Sequence, residues 1–252
     1  MMTRASEPIV PTAMAAWRDA LAARERMPML LWIAMAALFA VLFLEFLLLV
    51  PAHLGFLARI VGAAAQAFVM TPLAIAIHRF VLLGETTPAY RIDPNEPRFQ
   101  KFFLYALGFA VIWLIPQLFR AVLGHGFFGS LVGLIVGIVC AIAAIRLIIL
   151  FPAVGIDAPD ADWRNALEDT KGHSWSVFFT MIAVALPAVV VFIILFALLG
   201  RHGWFAGILL AALQAPIVAF VWAASVAAAS RLYAAYADRL GKPVGVSPRP
   251  AT

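Results

Sequence analysis

Six long runs of apolar residues, separated by short polar stretches, divide this chain at 29–50, 59–80, 102–123, 127–151, 176–199 and 204–233. A helix needs roughly 20 apolar residues to cross about 30 Å of hydrocarbon, and each run meets that length. Backbone groups in lipid must be satisfied within their own segment, so runs this continuous predict helices. The expected fold class is all-α, a polytopic membrane protein of six transmembrane helices in a single domain over 1–252. The connections alternate between a few residues and much longer stretches, which arranges the spans as three helical hairpins joined by linkers.

Charge then orients the hairpins. Fifteen of the eighteen Lys and Arg residues fall before position 29, between 78 and 101, between 146 and 173, or after 230, and only Arg59, Arg120 and Arg201 lie on the other side. Short cytoplasmic loops keep basic residues during insertion, so the linkers and both termini are expected in the cytoplasm. Composition agrees: 65% of residues are hydrophobic, 12% are charged and the mean hydropathy is +1.00, outside the range of soluble domains. The net charge of +5 reads as orientation and contact with anionic headgroups; no basic run is dense enough for nucleic acid. Residues 1–28 lack the apolar core of a cleavable signal and form a cytoplasmic lead-in, so the first span is expected to be an uncleaved anchor, and 241–252 reads as a disordered tail. Abundant Ala, and Arg far in excess of Lys, point to a GC-rich bacterial source and hence an inner membrane.

The hairpins look like repeats of one unit. Their outer turns read His53-Leu54-Gly55-Phe56, His125-Gly126-Phe127-Phe128 and His202-Gly203-Trp204-Phe205, and their second helices each end in Arg, at Arg79, Arg146 and Arg231. Trp17-Arg18-Asp19-Ala20-Leu21 before the first hairpin matches Trp163-Arg164-Asn165-Ala166-Leu167 before the third, while the second lacks this lead-in. Small residues recur every four positions in the fourth span (Gly129, Gly133, Gly137, Ala141) and the sixth (Gly207, Ala211, Ala215, Ala219, Ala223, Ala227). Such stripes let helix backbones approach closely. They place even-numbered spans inside and odd-numbered spans toward lipid, or alternatively form a homodimer seam. Amphipathic segments before the first and fifth spans are expected to lie on the cytoplasmic surface, one with Met14, Trp17 and Leu21 on one face and the other with Trp163, Ala166, Leu167 and Thr170. Trp17, Trp163, Arg79, Arg146 and Arg231 fit as interfacial anchors. Asp157, Asp160 and Asp162 suit the start of the second segment's helix, and Lys171 with Gly172 its end.

Arg146 leading through an aliphatic run to Phe151-Pro152-Ala153, then Trp163-Arg164-Asn165-Ala166-Leu167 and Thr170-Lys171-Gly172-His173-Ser174-Trp175 before a new span, resembles the membrane-spanning domain found with some glycerophosphoryl diester phosphodiesterases and in related stand-alone six-helix bacterial proteins. The resemblance implies membership of a largely uncharacterised membrane family and assigns no catalytic residue. The hydrolase of those fusions is a separate soluble barrel, and no polar stretch here is long enough to encode one, so the activity does not transfer.

Ionisable groups within spans are expensive and tend to serve a use. Glu45 in the first span is expected to pair with Arg59 or Arg120, at the outer ends of the second and third, or to hold a proton or substrate. Gln66, Gln117 and Gln214 could line a cavity or bond between helices. Pro72, Pro116, Pro187 and Pro216 interrupt four spans, a device of transporters. His53, His125 and His202 could meet on one zinc or copper ion if the hairpin tips converge, though the expectation is no metal and no cofactor. His78 and His173 read as interfacial. Cys140, the only cysteine, lies in an apolar run and excludes an internal disulfide. No nucleophile-and-base motif, phosphate loop or zinc-protease helix is present, so the chain does not read as an enzyme. Two functions remain: an accessory, scaffold or assembly component that meets the bilayer, copies of itself or another membrane protein through its seams and basic loops, or a transporter or channel for a small solute, lipid or ion using Glu45 and the broken helices.

Overall fold

A computed structural model describes residues 8–45, 55–124, 126–199 and 203–241. Every regular element among them is helical, in the order α1 (Ile9–Arg26), α2 (Pro28–Leu44), α3 (Gly55–Leu83), α4 (Pro97–Leu123), α5 (Phe127–Leu147), α6 (Leu150–Gly155), α7 (Trp163–Asp169), α8 (Ser174–Leu199) and α9 (Gly203–Tyr236). Five of these segments are long and apolar enough to cross a membrane, and six if α1 and α2 count as one bent pair. The chain thus has the character of a multi-pass membrane protein.

The apolar runs set the helices, and proline and glycine set their limits. Pro28 stands at the first position of α2, where the absent N–H breaks no bond and the ring's φ suits a helix; α1 and α2 meet there at 102°. Asp162 caps α7 by accepting the N–H of Trp163 at 2.8 Å. Gly172 follows α7 at φ +86°, a left-handed stop that glycine adopts without a steric penalty. The third run begins earlier than its hydropathy marks, because Pro97 starts α4 and Phe99 and Phe102 are already buried.

Neighbouring contacts form a closed circuit: α3 touches α4, α4 touches α5, α5 touches α8, α8 touches α9, and α9 returns to α3. Helix α2 packs outside this ring against α3 and α9, and α1 lies across α8 and α9. Short α6 bears on α3, α4 and α9, closing one end of the ring. Inner and outer roles divide as the small-residue pattern predicts. The most apolar windows of α3 and α9 are 44% buried and that of α5 22%, against 6% for α4 and 11% for α8. Ala215, Ala219, Ala223 and Ala227 of α9 are all buried. Association in lipid gains little from hydrophobic transfer, so close backbone contact along such stripes supplies the packing.

The lead-in helix α1 has two different apolar faces. Ala13, Ala16, Ala20 and Ala23 form the buried one, and Val10, Met14 and Leu21 remain exposed. Met14 and Leu21 of the expected stripe are therefore on the outward face, and alanines make the contact with the bundle because their small side chains let the crossing helices come close. Trp17 joins the bundle instead of acting as a surface anchor. Its ring packs on Phe220 with centroids 5.5 Å apart. Asp19 on the same helix binds Arg231 with contacts of 2.6 and 2.9 Å, both side chains being largely buried. Linker 84–96 is irregular, as its prolines require, and is tied down by Tyr90, whose hydroxyl donates to the Val69 carbonyl at 2.5 Å. Burial pushes the Tyr90 phenol up to about 12.

Candidate functional site: a chamber inside the helix ring

Alanine on the facing sides of the ring helices leaves space at its centre. Ala63, Ala67 and Ala74 of α3, Ala106 and Ala110 of α4, Ala141 and Ala144 of α5, Ala185 of α8 and Ala229 of α9 line a cavity of about 750 Å³. Between them, Phe102, Phe109, Trp113, Phe151, Phe178 and Trp222 supply flat apolar walls. Along α3 the lining runs from Ala63 to His78, roughly 20 Å at the helical rise. The volume falls in the range of small-molecule sites, which are mostly apolar with a few placed polar groups.

Those polar groups are Gln66, Thr71, His78 and Ser225. Thr71 donates its hydroxyl to the Ala67 carbonyl at 2.7 Å and Ser225 to that of Val221 at 2.9 Å, so both present only lone pairs to a guest. His78 is 1% exposed and its Nδ1 lies 2.8 Å from Ser230 Oγ. Ser230 Oγ also reaches the Val226 carbonyl at 3.1 Å, and which partner donates in the His78–Ser230 bond follows the ring's tautomer. His78 is thus a buried residue of the chamber and not an interfacial one, a position that its neighbours from distant α9 create. Helix α6 comes down on it: a Cβ at Gly155 would stand 3.1 Å from His78 Cβ, so glycine permits the approach.

A charge cluster holds α6 in this place. Asp157, just past the helix, has φ +55° and completes a Schellman turn, with the Ala158 N–H donating to the Ala153 carbonyl at 2.8 Å and its own N–H to that of Val154 at 3.2 Å. Glycine is the usual residue there. The aspartate stands in its place with its carboxylate on Arg98 of α4 at 2.5 to 2.9 Å, and Arg79 of α3 lies 3.6 Å away. Arg79 also binds Glu85 at 2.6 Å. Arg146 turns to the next linker, reaching the Leu167 carbonyl and Thr170. These basic residues close protein contacts instead of standing free at a surface.

At the other end of the chamber, the polar residues form two pairs, but not the expected ones. Glu45 accepts from Gln66 Nε2 at 3.0 Å and Arg59 donates to Gln117, so Glu45 pairs with neither Arg59 nor Arg120. The reason is local. Glu45 lies flat on α3 at Gly62, where an added Cβ would run into its carboxylate, and Gln66 is the next turn of that face. Arg120 runs its methylene stem over Gly133 of α5, and an added Cβ there would be 2.5 Å from Arg120 Cγ. Gly129 meets the Gly124 carbonyl and Gly137 the ring of Pro116, so this glycine stripe seats α4. Gln214 is exposed and does not line the chamber. Ala141 is half-buried and faces the chamber.

Trp163 is exposed, under the Arg164 guanidinium at 5.2 Å, and Cys140 is buried. His173 stacks on Tyr236 with centroids 4.4 Å apart. His53, His125 and His202 lie outside the described residues, as do the side chains of Gly207 and Ala211. No cluster of His, Cys, Asp or Glu suited to a metal occurs among the described residues. The sequence reading missed Gly62, Ser225 and the aromatic walls, and it gave Asp157 to the start of α7, whereas it forms the turn after α6. Gly62 and Gln66 are four apart on one helix face, a visible signal; the others depend on how helices are placed against each other. Comparison with protein families, curated proteins and solved structures finds no match.

Proposed function

We propose that this chain is a non-catalytic, multi-pass protein of a bacterial inner membrane that takes an apolar or amphiphilic molecule into its helix ring and carries or delivers it. The observation behind this reading is the cavity of about 750 Å³ walled by Ala and aromatic side chains. The lining hydroxyls are spent on backbone carbonyls, which suits a guest that is bound rather than attacked. The small-residue seams through which an accessory component would act face inward here, Gly129, Gly133 and Gly137 toward α4 and Ala215, Ala219, Ala223 and Ala227 into the core, which favours the carrier reading over that rival role.

The same reading places the linkers in the cytoplasm on the distribution of fifteen basic residues and treats the hairpins as repeats. In support, each hairpin's terminal Arg grips a lead-in or linker: Arg79 holds Glu85, Arg146 reaches Leu167 and Thr170, and Arg231 binds Asp19 of α1. The likeness to the membrane domain accompanying phosphodiesterases remains our proposal for the family, resting on the segments around Trp163 and Thr170.

Trp113 and Trp222 line the chamber and report on it directly. In nanodiscs of zwitterionic lipid, a brominated long-chain alcohol is expected to quench the protein's tryptophan fluorescence with a saturable component, and Ala110→Leu with Ala144→Leu is expected to remove that component. Quenching that rises only with bulk partitioning, or is indifferent to the filled chamber, would overturn the reading.

A further inference from the structure

We infer that the guest is an anionic single-chain amphiphile, its chain in the chamber and its headgroup on Arg59 and Arg120; this rests on the carrier reading above. The lining stripes of two helices run outward into these arginines. On α3 the chamber face ends at Ala63, and Arg59 is one turn beyond it. On α4 it ends at Trp113 and Leu114, and Gln117 and Arg120 follow at helical spacing on the same face. Arg59 is bonded across to Gln117, and Gln117 donates to the Trp113 carbonyl at 3.3 Å, so the rim and the chamber wall are one connected structure.

Both arginines are exposed, and among the described residues no carboxylate pairs with either. Glu45, at the end of α2, is held on Gln66 of α3 and folded against Gly62. Arg79, Arg98 and Arg231 have carboxylate partners; what distinguishes Arg59 and Arg120 is their place, one helical turn or two beyond the chamber lining of α3 and α4. A guanidinium offers up to five donors in a fork that fits carboxylate or phosphate oxygens. The chamber itself holds no charged lining residue, so it excludes a bare ion and suits an alkyl chain, while the rim suits an anionic head. Gly133 contributes by leaving space for the Arg120 stem.

Competition against the brominated alcohol in nanodiscs tests this with dodecyl phosphate, dodecanoate, dodecanol and inorganic phosphate. Both anionic amphiphiles are expected to compete about tenfold more strongly than dodecanol, the worth of one or two charge-assisted hydrogen bonds, and inorganic phosphate not at all. Arg59→Met and Arg120→Met, which keep an apolar stem, are expected to remove that preference and leave dodecanol unchanged, with Arg59→Lys retaining part of it. An unchanged elution profile and unchanged dodecanol competition show that a variant is folded. Equal competition by dodecanol and the anions, or a preference that survives both Met variants, would overturn the anionic headgroup while the carrier reading stands. Competition by inorganic phosphate alone would overturn the amphiphile in favour of a surface anion site. If the filled-chamber variant still binds all three amphiphiles, the carrier reading itself fails.

Discussion

Asp19 and Arg231 stand 212 residues apart in the chain and meet with bidentate geometry, their side chains 15% and 13% exposed. Each charge relies on the other, since water reaches neither well. Removing the carboxylate strands a guanidinium beneath α1, a change that costs about 3–5 kcal/mol where pairs are buried. Asp19→Ala is therefore expected to lower the thermal midpoint in detergent markedly, and Asp19→Ala with Arg231→Met to recover part of the loss. Equal midpoints for the single and double variants would show that the contact is packing and not charge. The sequence reading marked Arg231 as an anchor for the headgroup region, which suits a basic residue at the end of a span. Its true partner sits in a helix that hydropathy alone treats as surface, so the pair was not legible there. Glu45 shows the same limit: its placement inside a span was readable, but the choice of Gln66 over two arginines depends on the bare patch at Gly62.

Small residues were the most legible signal at the level of elements. Their period of four identified the faces along which α5 and α9 pack, and the burial of α3, α5 and α9 relative to α4 and α8 follows it. What periodicity left open was the partner surface, another part of the chain or a second copy. Along α5 the contact is α4, with Gly133 under the Arg120 stem and Gly137 against Pro116. Gly133→Leu would drive a branched side chain into that stem, and overpacking of this kind costs about 1–3 kcal/mol. The arginine can swing away, so the expected result is a modest drop in thermal midpoint with loss of a cysteine crosslink engineered between the outer ends of α4 and α5. A crosslink that forms as in the parent would show that these helices do not depend on the glycine. Short helices were less legible. Helix α6 begins within a run that hydropathy joins to α5; the break after Leu147 separates the two, and the Asp157 turn ends α6.

Considered as a whole, the molecule reads as a ring because α9 returns to α3, and that closure joins elements far apart in the chain. The chamber follows from the closure and so could not be read from any one segment, whereas the all-helical character and the five or six long apolar helices could. Orientation is a separate matter of charge: each arginine at mid-bilayer costs about 2.5–3.5 kcal/mol on the insertion scale, so four basic residues between 78 and 101 strongly resist translocation. The expected topology puts Arg91, 81% exposed in linker 84–96, in the cytoplasm and Phe128, 67% exposed at the start of α5, outside. Cys140 is the only native thiol, so Cys140→Ala gives a clean background for single cysteines at these two positions. A membrane-impermeant maleimide is expected to label Arg91→Cys only in inverted vesicles and Phe128→Cys only in intact spheroplasts. Interchanged labelling would reverse the orientation, and labelling of both from one side would mean that α4 does not cross. In that last case Arg59 and Arg120 could not share an outer rim, because the crossing of α4 is what carries Arg120 to the end of the bundle where α3 presents Arg59.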